Sequence, residues 1–158
     1  MSSSTAILVS HFEILKNDLI KKYDELGMRA SGNWADTLKV EVENYSVQIT
    51  GAPYSEALEN GYKPGKQPPS EAIEQWIIAK GISTQVEGNI SISSLAYLIA
   101  RKIGREGWDR TEHGGTELIS SVITPQRIQF IIDDVSDNEL TMITSNITNL
   151  LNSFYDSI

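Results

Sequence analysis

Apolar and polar residues follow two different patterns along this chain, one helical and one typical of a β-hairpin. From residue 6 to residue 28, apolar side chains recur every three or four positions among Lys, Asp and Glu, which predicts a long amphipathic first helix. Residues 38–42 and 47–49 instead alternate apolar and polar side chains, which predicts a hairpin that turns near Asn44. Because the alternation is regular, we expect one face of this hairpin to pack on a helix and the other to face water.

Helical spacing returns after the hairpin. A short helix is predicted from Pro53 to Leu58, and a further helix opens at Ser70 and ends near Gly81. Residues 82–92, which follow it, are polar, and we interpret them as a second small hairpin.

The next predicted helix is basic, unlike the rest of the chain. Ser93 or Ser94 is expected to cap it, because a serine hydroxyl can accept a hydrogen bond from the free backbone N–H groups of a helix N-terminus. Its predicted apolar face consists of Leu95, Leu98, Ile99 and Ile103. Its basic side chains, which project elsewhere, are Arg101, Lys102 and Arg105.

The C-terminal part is predicted to contain three helices. A short one is expected over residues 116–123, and Thr124 followed by Pro125 is typical of the start of the next, which continues to Val135. The last helix is predicted over residues 137–154, and its other face is mostly Thr, Ser and Asn. Its predicted apolar stripe consists of Leu140, Ile143, Ile147, Leu150, Leu151 and Phe154. The chain is therefore expected to adopt an α+β fold, in which a small antiparallel hairpin packs on a long N-terminal helix and the C-terminal part is rich in helix.

Length and charge limit the possible functions. A chain of 158 residues is expected to form a single domain over residues 1–158, and its net charge of −8 argues against a protein whose main role is to grip nucleic acid. The net negative charge concentrates in a helical extension from about residue 115, because residues 111–158 contain seven acids and only one basic residue, a net charge of −6. Such a surface is either simply solvated, or contacts a basic partner, or forms a wall along which DNA passes without binding.

Candidate chemistry in the chain is sparse. The absence of cysteine excludes disulfides and thiolate metal sites, and no apolar run approaches the length of about 20 residues that is needed to cross a bilayer. No phosphate-binding or dinucleotide-binding glycine motif is present, so we predict no cofactor. Two histidines and no cysteine supply too few nitrogen or thiolate ligands, so we predict no metal and leave only a carboxylate site for a hard cation as an alternative. One loop gathers Arg110, Glu112 and His113, which could place a general base beside a cation and leaves a small hydrolase or nuclease as an alternative.

The segment between the helices that end near Leu58 and begin at Ser70 indicates a contact surface. Residues 61–69 contain three prolines, which restrict the unfolded chain, and two glycines, which permit a positive φ, so we expect one defined loop shape. Tyr62 and Trp76 offer aromatic anchors of the kind enriched at interfaces, although for Trp76 itself packing in the core is the favoured interpretation. The predicted interface consists of Glu59, Gly61, Tyr62, Lys63, Pro64, Gly65, Lys66, Pro68, Pro69, Arg101 and Arg105.

Two stretches of the sequence resemble one family. They are PYSEALENGYKPGKQPPSEAIEQWIIAKGI and SSLAYLIARKIGREGWDR, within residues 35–110. They are similar to the tail-completion or neck proteins of tailed bacteriophages, also described as minor tail proteins. The residues that match the first pattern are Tyr54, Leu58, Glu59, Gly61, Pro64, Gly65, Pro68, Pro69, Ile73 and Trp76. Those that match the second are Ala96, Ile99, Arg101, Ile103 and Gly107.

The resemblance implies a structural virion protein that is not an enzyme. Such a protein is made in the bacterial host cytoplasm and assembles as a homo-oligomeric ring at the head-tail connector, the neck or the upper end of the tail. Its partners would be further copies and other virion proteins, on the connector or portal side or on the tail-tube side. The ring could surround a passive DNA channel without reading DNA sequence. Besides the small enzyme, a cytoplasmic adaptor that binds one protein partner remains an alternative.

Overall fold

A computed structural model describes residues 3–30, 33–44, 46–82, 90–109 and 117–156. The centre of the hairpin predicted within residues 82–92 lies outside these ranges, as do Arg110, Glu112 and His113. None of the described helices is both long enough and apolar enough to cross a membrane.

The described residues form helices around one hairpin, which confirms the α+β fold class. The N-terminal elements are α1 (Ser3–Glu25), α2 (Asn33–Thr37), β1 (Lys39–Glu43) and β2 (Ser46–Thr50). The remaining elements are α3 (Ser55–Asn60), α4 (Ser70–Ala79), α5 (Ile92–Glu106) and α6 (Pro125–Tyr155). Of these, α2 was not predicted, because its five residues are too few to show a helical period.

The hairpin has the predicted position and turn. Strands β1 and β2 pair antiparallel, with Val40 opposite Ile49, and Asn44 at the turn has the positive φ of 54° that asparagine tolerates. Leu38 and Ile49, at the base of the hairpin, pack against the core, whereas Val42 near the turn is exposed. The packed face is thus shorter than the alternation predicts, because the core does not extend under the tip.

The main core lies between α1, α2, α6 and the turns that precede α6. Its buried members are Leu15, Leu19, Tyr23, Trp34, Leu118, Val122 and Ile131. The Trp34 ring lies 4.8 Å from that of Tyr23 between ring centroids, and Trp34 Nε1 donates a hydrogen bond to Ser55 Oγ at 2.9 Å. Trp34 therefore connects α1 to the start of α3, so the short helix α2 occupies a central place in the fold.

Helices α4 and α5 pack on each other through small side chains. Ile77 of α4 is fully buried, as are Ala96 and Ala100 of α5. Because the alanine side chain is small, it allows the two helices to approach closely. The predicted apolar face of α5 was therefore partly wrong, because Leu98 is half exposed. At the end of α4, Lys80 Nζ donates to the backbone oxygen of Gly27 at 2.6 Å, which ties α4 to the chain that follows α1.

The N-terminal caps differ in part from those predicted. Ser91, rather than Ser93 or Ser94, caps α5, and its Oγ accepts a hydrogen bond from the N–H of Ser94 at 3.1 Å. Thr124 caps α6 with Pro125 as the first helical residue, which confirms that prediction. Spacing alone could not distinguish three nearby serines, whereas a threonine directly before a proline leaves one choice.

The C-terminal part also differs from the predicted three helices. The two helices predicted after Thr124 form the single 31-residue helix α6, because no glycine or proline interrupts residues 126–155. Residues 117–123, predicted as a helix, instead form successive turns, and Glu117 has a positive φ of 37° that no regular helix contains.

Helices α1 and α6 run antiparallel along much of α1. Arg127 pairs with Asp18 near the start of α6, and further along His11 Nε2 lies 2.7 Å from Asp134 Oδ2. Ser4 donates a hydrogen bond to Glu139 at the N-terminal end of α1. All later residues of α6 are exposed, and this final part extends about 24 Å past Glu139 at 1.5 Å per residue.

Candidate functional site

The 61–69 loop is fastened to the C-terminal end of α5. The N–H of Tyr62 donates to the carbonyl oxygen of Trp108, and the N–H of Trp108 donates to that of Tyr62, each at 2.7 Å. The N–H of Gly65 donates to the carbonyl oxygen of Gly104 at 2.9 Å. These three backbone hydrogen bonds hold both the entry and the middle of the loop, so its shape depends on α5 as well as on its prolines.

Two glycines of α5 and its C-terminus allow this close approach. A Cβ at Gly104 would lie 2.8 Å from Gln67 Cα, and a Cβ at Gly107 would lie 2.5 Å from the carbonyl oxygen of Tyr62. Gly107 also has φ 73° and ψ −168°, a conformation that is essentially restricted to glycine. Larger residues at either position would force the loop away from the helix.

The outer side of the loop is exposed and basic. Lys63 and Lys66 project into solvent, and Arg101 and Arg105, which are also exposed, lie three residues before and one residue after Gly104 on α5. Within the described part of the chain, no ion pair within 4.0 Å involves any of these four side chains. We refer to them as the basic surface. An open groove of about 840 Å³ adjoins it, lined by residues of the 53–66 segment that include Tyr54 and Tyr62.

Glu59, predicted as an interface residue, makes contacts within the chain. Its Oε2 accepts a hydrogen bond from the N–H of Ile119 at 2.6 Å, and its Oε1 accepts one from the N–H of Ser120 at 3.1 Å. Burial raises the pKa of Glu59, but the hydrogen bonds from Ile119 and Ser120 outweigh this effect, so the pKa lies below the ordinary value for glutamate. The carboxylate thus anchors α3 to the turns that precede α6.

Replacing Glu59 with glutamine is expected to lower the free energy of unfolding at neutral pH by about 1–2 kcal/mol, because a charged acceptor of two backbone N–H groups is lost at a partly exposed site. A lowered folded-state pKa stabilises the protein fully above the unfolded-state pKa of about 4.3, and the contribution disappears as the pH falls through the folded-state pKa. Denaturant unfolding between about pH 7 and pH 3 should therefore give a flatter dependence for Glu59→Gln than for the natural chain.

The control for this measurement is Glu56→Gln, which alters an exposed carboxylate on the same helix. It should change neither the stability nor its pH dependence appreciably. Equal pH profiles for Glu59→Gln and the natural chain would show that the two hydrogen bonds contribute nothing to folding.

The remaining predicted interface residues occupy different environments. Pro69 is the N-cap of α4, and Pro68 is half-buried. Gly61 has a φ of 86° at the end of α3, where its N–H bonds to the carbonyl oxygen of Ala57. Trp76 is 42% exposed on α4, so the favoured assignment of Trp76 to the core was wrong. The structure thus brings the loop and α5 together, although the two segments are distant in sequence.

The acidic residues of the C-terminal part are partly used within the fold. Asp134 contacts His11, Glu139 accepts from Ser4, and Asp133 accepts from Gln129 at 2.8 Å. Among the described residues, no group of three or more His, Asp or Glu side chains is arranged to hold a metal ion.

Comparisons with protein-family models, with curated proteins and with solved structures found no significant match.

Proposed function

We propose that this protein is a structural component of a tailed-bacteriophage particle, located at the head-tail connector, the neck or the tail-completion ring. In this role the 61–69 loop and the basic surface contact a neighbouring protein of the particle. The protein works through homo-oligomeric and heterologous contacts, and DNA passes it without sequence recognition.

The observation that carries this proposal is the attachment of the loop to α5. The two sequence stretches that resemble the phage family are separated in the chain, and they meet at the Tyr62–Trp108 bridge. Gly107 of the second stretch lies against Tyr62 and Pro64 of the first, so residues of both patterns build one rigid unit. Rigid loops lose little conformational entropy on docking, which favours a role in permanent assembly.

The charge of the basic surface indicates the chemistry of its partner. Its four cations stand in a chain of net charge −8, and no described acid pairs with them within the molecule. An acidic surface on a neighbouring particle protein or on another copy would complement them, and such complementarity selects partners and accelerates association.

The decisive experiment measures incorporation into particles. With the gene disrupted in the phage and supplied in trans, quantitative mass spectrometry should find the natural protein at a fixed copy number in purified particles. The double variant Lys63→Glu/Lys66→Glu should reduce that copy number by roughly tenfold or more, because two attractive contacts become repulsive.

The control is Lys21→Glu, which reverses an exposed lysine on α1, and circular dichroism should show that both variants are folded. Absence of the natural protein from particles would overturn the proposed function. If the protein is absent from particles but binds one host protein, the adaptor interpretation replaces it. An unchanged copy number for Lys63→Glu/Lys66→Glu would instead show that the basic surface is not part of the assembly contact.

A further inference from the structure

The C-terminal part of α6 has an exposed apolar face. Leu140, Ile143, Ile147, Leu150 and Phe154 are each more than half exposed. They are separated by alternating steps of three and four residues, which is the a/d spacing of a coiled coil. We call Leu140, Ile143, Ile147 and Leu150 the α6 stripe.

Among the described residues, none covers this stripe, since each of its four side chains is more than half exposed. Ile131 and Asn138 mark the side of α6 that faces α1, since Ile131 is buried and Asn138 bonds to Ser4. Ile147 follows Asn138 by nine residues, which is about two and a half turns, so it leaves the opposite side of the helix. The α6 stripe therefore points away from α1, and its partner must come from outside the described part of the chain.

The surroundings of the stripe limit the kind of partner. Residues 140–155 contain no charged side chain, although the whole protein carries −8. The positions that flank a coiled-coil seam, which usually select a partner by charge, are here Thr144, Asn146, Leu151 and Ser153. This surface therefore offers no charge that could select a charged partner. A partner with an equally neutral apolar helix would bind without like-charge repulsion, and a second copy offers such a helix.

The area of the stripe is sufficient for pairing. Each half-exposed Leu, Ile or Phe side chain presents on the order of 100 Å². The stripe together with the exposed side chains of Leu151 and Phe154 then offers roughly 600 Å² per copy, or about 1,200 Å² for two copies, which is at the lower limit for specific protein interfaces.

We propose that the α6 stripe pairs with the α6 stripe of a second copy of this chain, as a short coiled coil. This deepens the assembly role proposed above and rests on it for its biological purpose. The pairing itself is a property of the purified protein. It identifies one homo-oligomeric contact on α6, distinct from the basic surface that would meet an acidic neighbour.

The test compares two charge substitutions in the purified full-length chain. Ile147→Asp places a carboxylate in the stripe, and Ser145→Asp places the same charge on the other side of the helix. Sedimentation equilibrium over about 1–200 µM should show dimers or larger oligomers for the natural chain and for Ser145→Asp. Ile147→Asp should weaken association roughly 100-fold or more, because a carboxylate would be buried in each copy.

Two further measurements keep the outcome decisive. Association through the uncharged stripe should change little between low and high salt, whereas pairing of the basic surface with acidic residues would weaken strongly. At protein concentrations too low for association, circular dichroism and thermal unfolding should be the same for both variants, because neither residue is buried in the single copy.

Several results would overturn the proposal. A natural chain that remains monomeric at the highest concentration would do so, as would equal association of the two variants. Unfolding of Ile147→Asp alone would place the stripe in the core of the molecule. If the natural chain is monomeric yet enters particles, self-pairing is wrong and the proposed function stands. If the natural chain self-associates but is absent from particles, self-pairing stands and the proposed function is wrong.

Discussion

Replacing Trp34 with alanine is expected to lower the free energy of unfolding by about 3–5 kcal/mol, the largest effect of any single substitution considered for this protein. Trp34 is 2% exposed, packs against Tyr23 and donates its ring N–H to Ser55. Truncation removes a large apolar group, leaves a cavity between α1 and α3, and deprives Ser55 of its donor. Because domains of this size are marginally stable, we expect Trp34→Ala to be mostly unfolded at 37 °C.

The matched control is Trp76→Ala, since Trp76 is a tryptophan that lies 42% exposed on α4. This change should cost less than about 1.5 kcal/mol, because much of the side chain is already in contact with water. Chemical denaturation followed by far-ultraviolet circular dichroism measures both, without depending on the tryptophan fluorescence that each variant alters. Equal losses of stability would show that the Trp34 site is not the centre of the core.

Replacing Gly107 with alanine is expected to lower the free energy of unfolding by about 3–4 kcal/mol and to release the 61–69 loop. The backbone conformation of Gly107 costs about 1–3 kcal/mol for a residue with a Cβ. The added Cβ would also meet the carbonyl oxygen of Tyr62 at 2.5 Å and Pro64 Cδ at 2.8 Å. The loop must then move, and the two hydrogen bonds between Tyr62 and Trp108 are lost, at about 1 kcal/mol each.

Gly27→Ala separates strain from steric clash. Gly27 has a φ of +62°, and a Cβ added there would meet nothing within 4 Å. Its stability loss therefore reports the cost of a positive φ alone, about 1–2 kcal/mol. Amide hydrogen exchange should become at least tenfold faster at Tyr62, Gly65 and Trp108 in Gly107→Ala only. If these amides remain protected in Gly107→Ala, the loop is not held by its contact with α5.

These two variants also relate stability to the proposed function. If the loop acts as a rigid contact surface, Gly107→Ala should reduce incorporation into particles by more than its loss of stability explains. Gly27→Ala, which leaves the loop attached, should assemble in proportion to the folded protein present. Comparing copy number per folded chain for the two variants would distinguish an assembly surface from a connector between helices.

The C-terminal helices illustrate where sequence patterns lead to errors. Ser136, Asp137 and Asn138 favour helix ends, yet α6 is continuous through them, where two helices were predicted. Their weak preferences are overcome by contacts with α1, since Asp134 and Asn138 both bond to side chains of that helix. A helix propensity of a few tenths of a kcal/mol cannot decide a boundary against several tertiary contacts.

The candidate site was predicted in its parts but not in its arrangement. Proline and glycine content identified the 61–69 loop as shaped, and the spacing of α5 placed Arg101 and Arg105 on one side of a helix. Neither pattern contains the information that Tyr62 and Trp108 form a bridge across 46 positions. Glu59 also had no signal that separates it from an exposed glutamate, because its hydrogen-bond donors are backbone groups of Ile119 and Ser120.

The sequence by itself determined those features that depend on neighbouring residues. These are the long first helix, the hairpin with its turn at Asn44, the Thr124–Pro125 start of α6, and the neutral apolar stripe at its end. Each depends on periodicity, on the conformations that one residue allows, or on charge, all of which are local properties.

Only the tertiary structure decided which surfaces become buried. It placed Trp34 of the unpredicted helix α2 in the core, selected Ala96 and Ala100 over Leu98 as the packed face of α5, and fastened the loop to Gly104. It also left the α6 stripe exposed, because the N-terminal end of α1 lies beside Glu139 and the stripe points away from α1. Burial depends on which segments that are distant in the sequence pack together. The free energy of that packing is a property of the whole chain rather than of any short stretch.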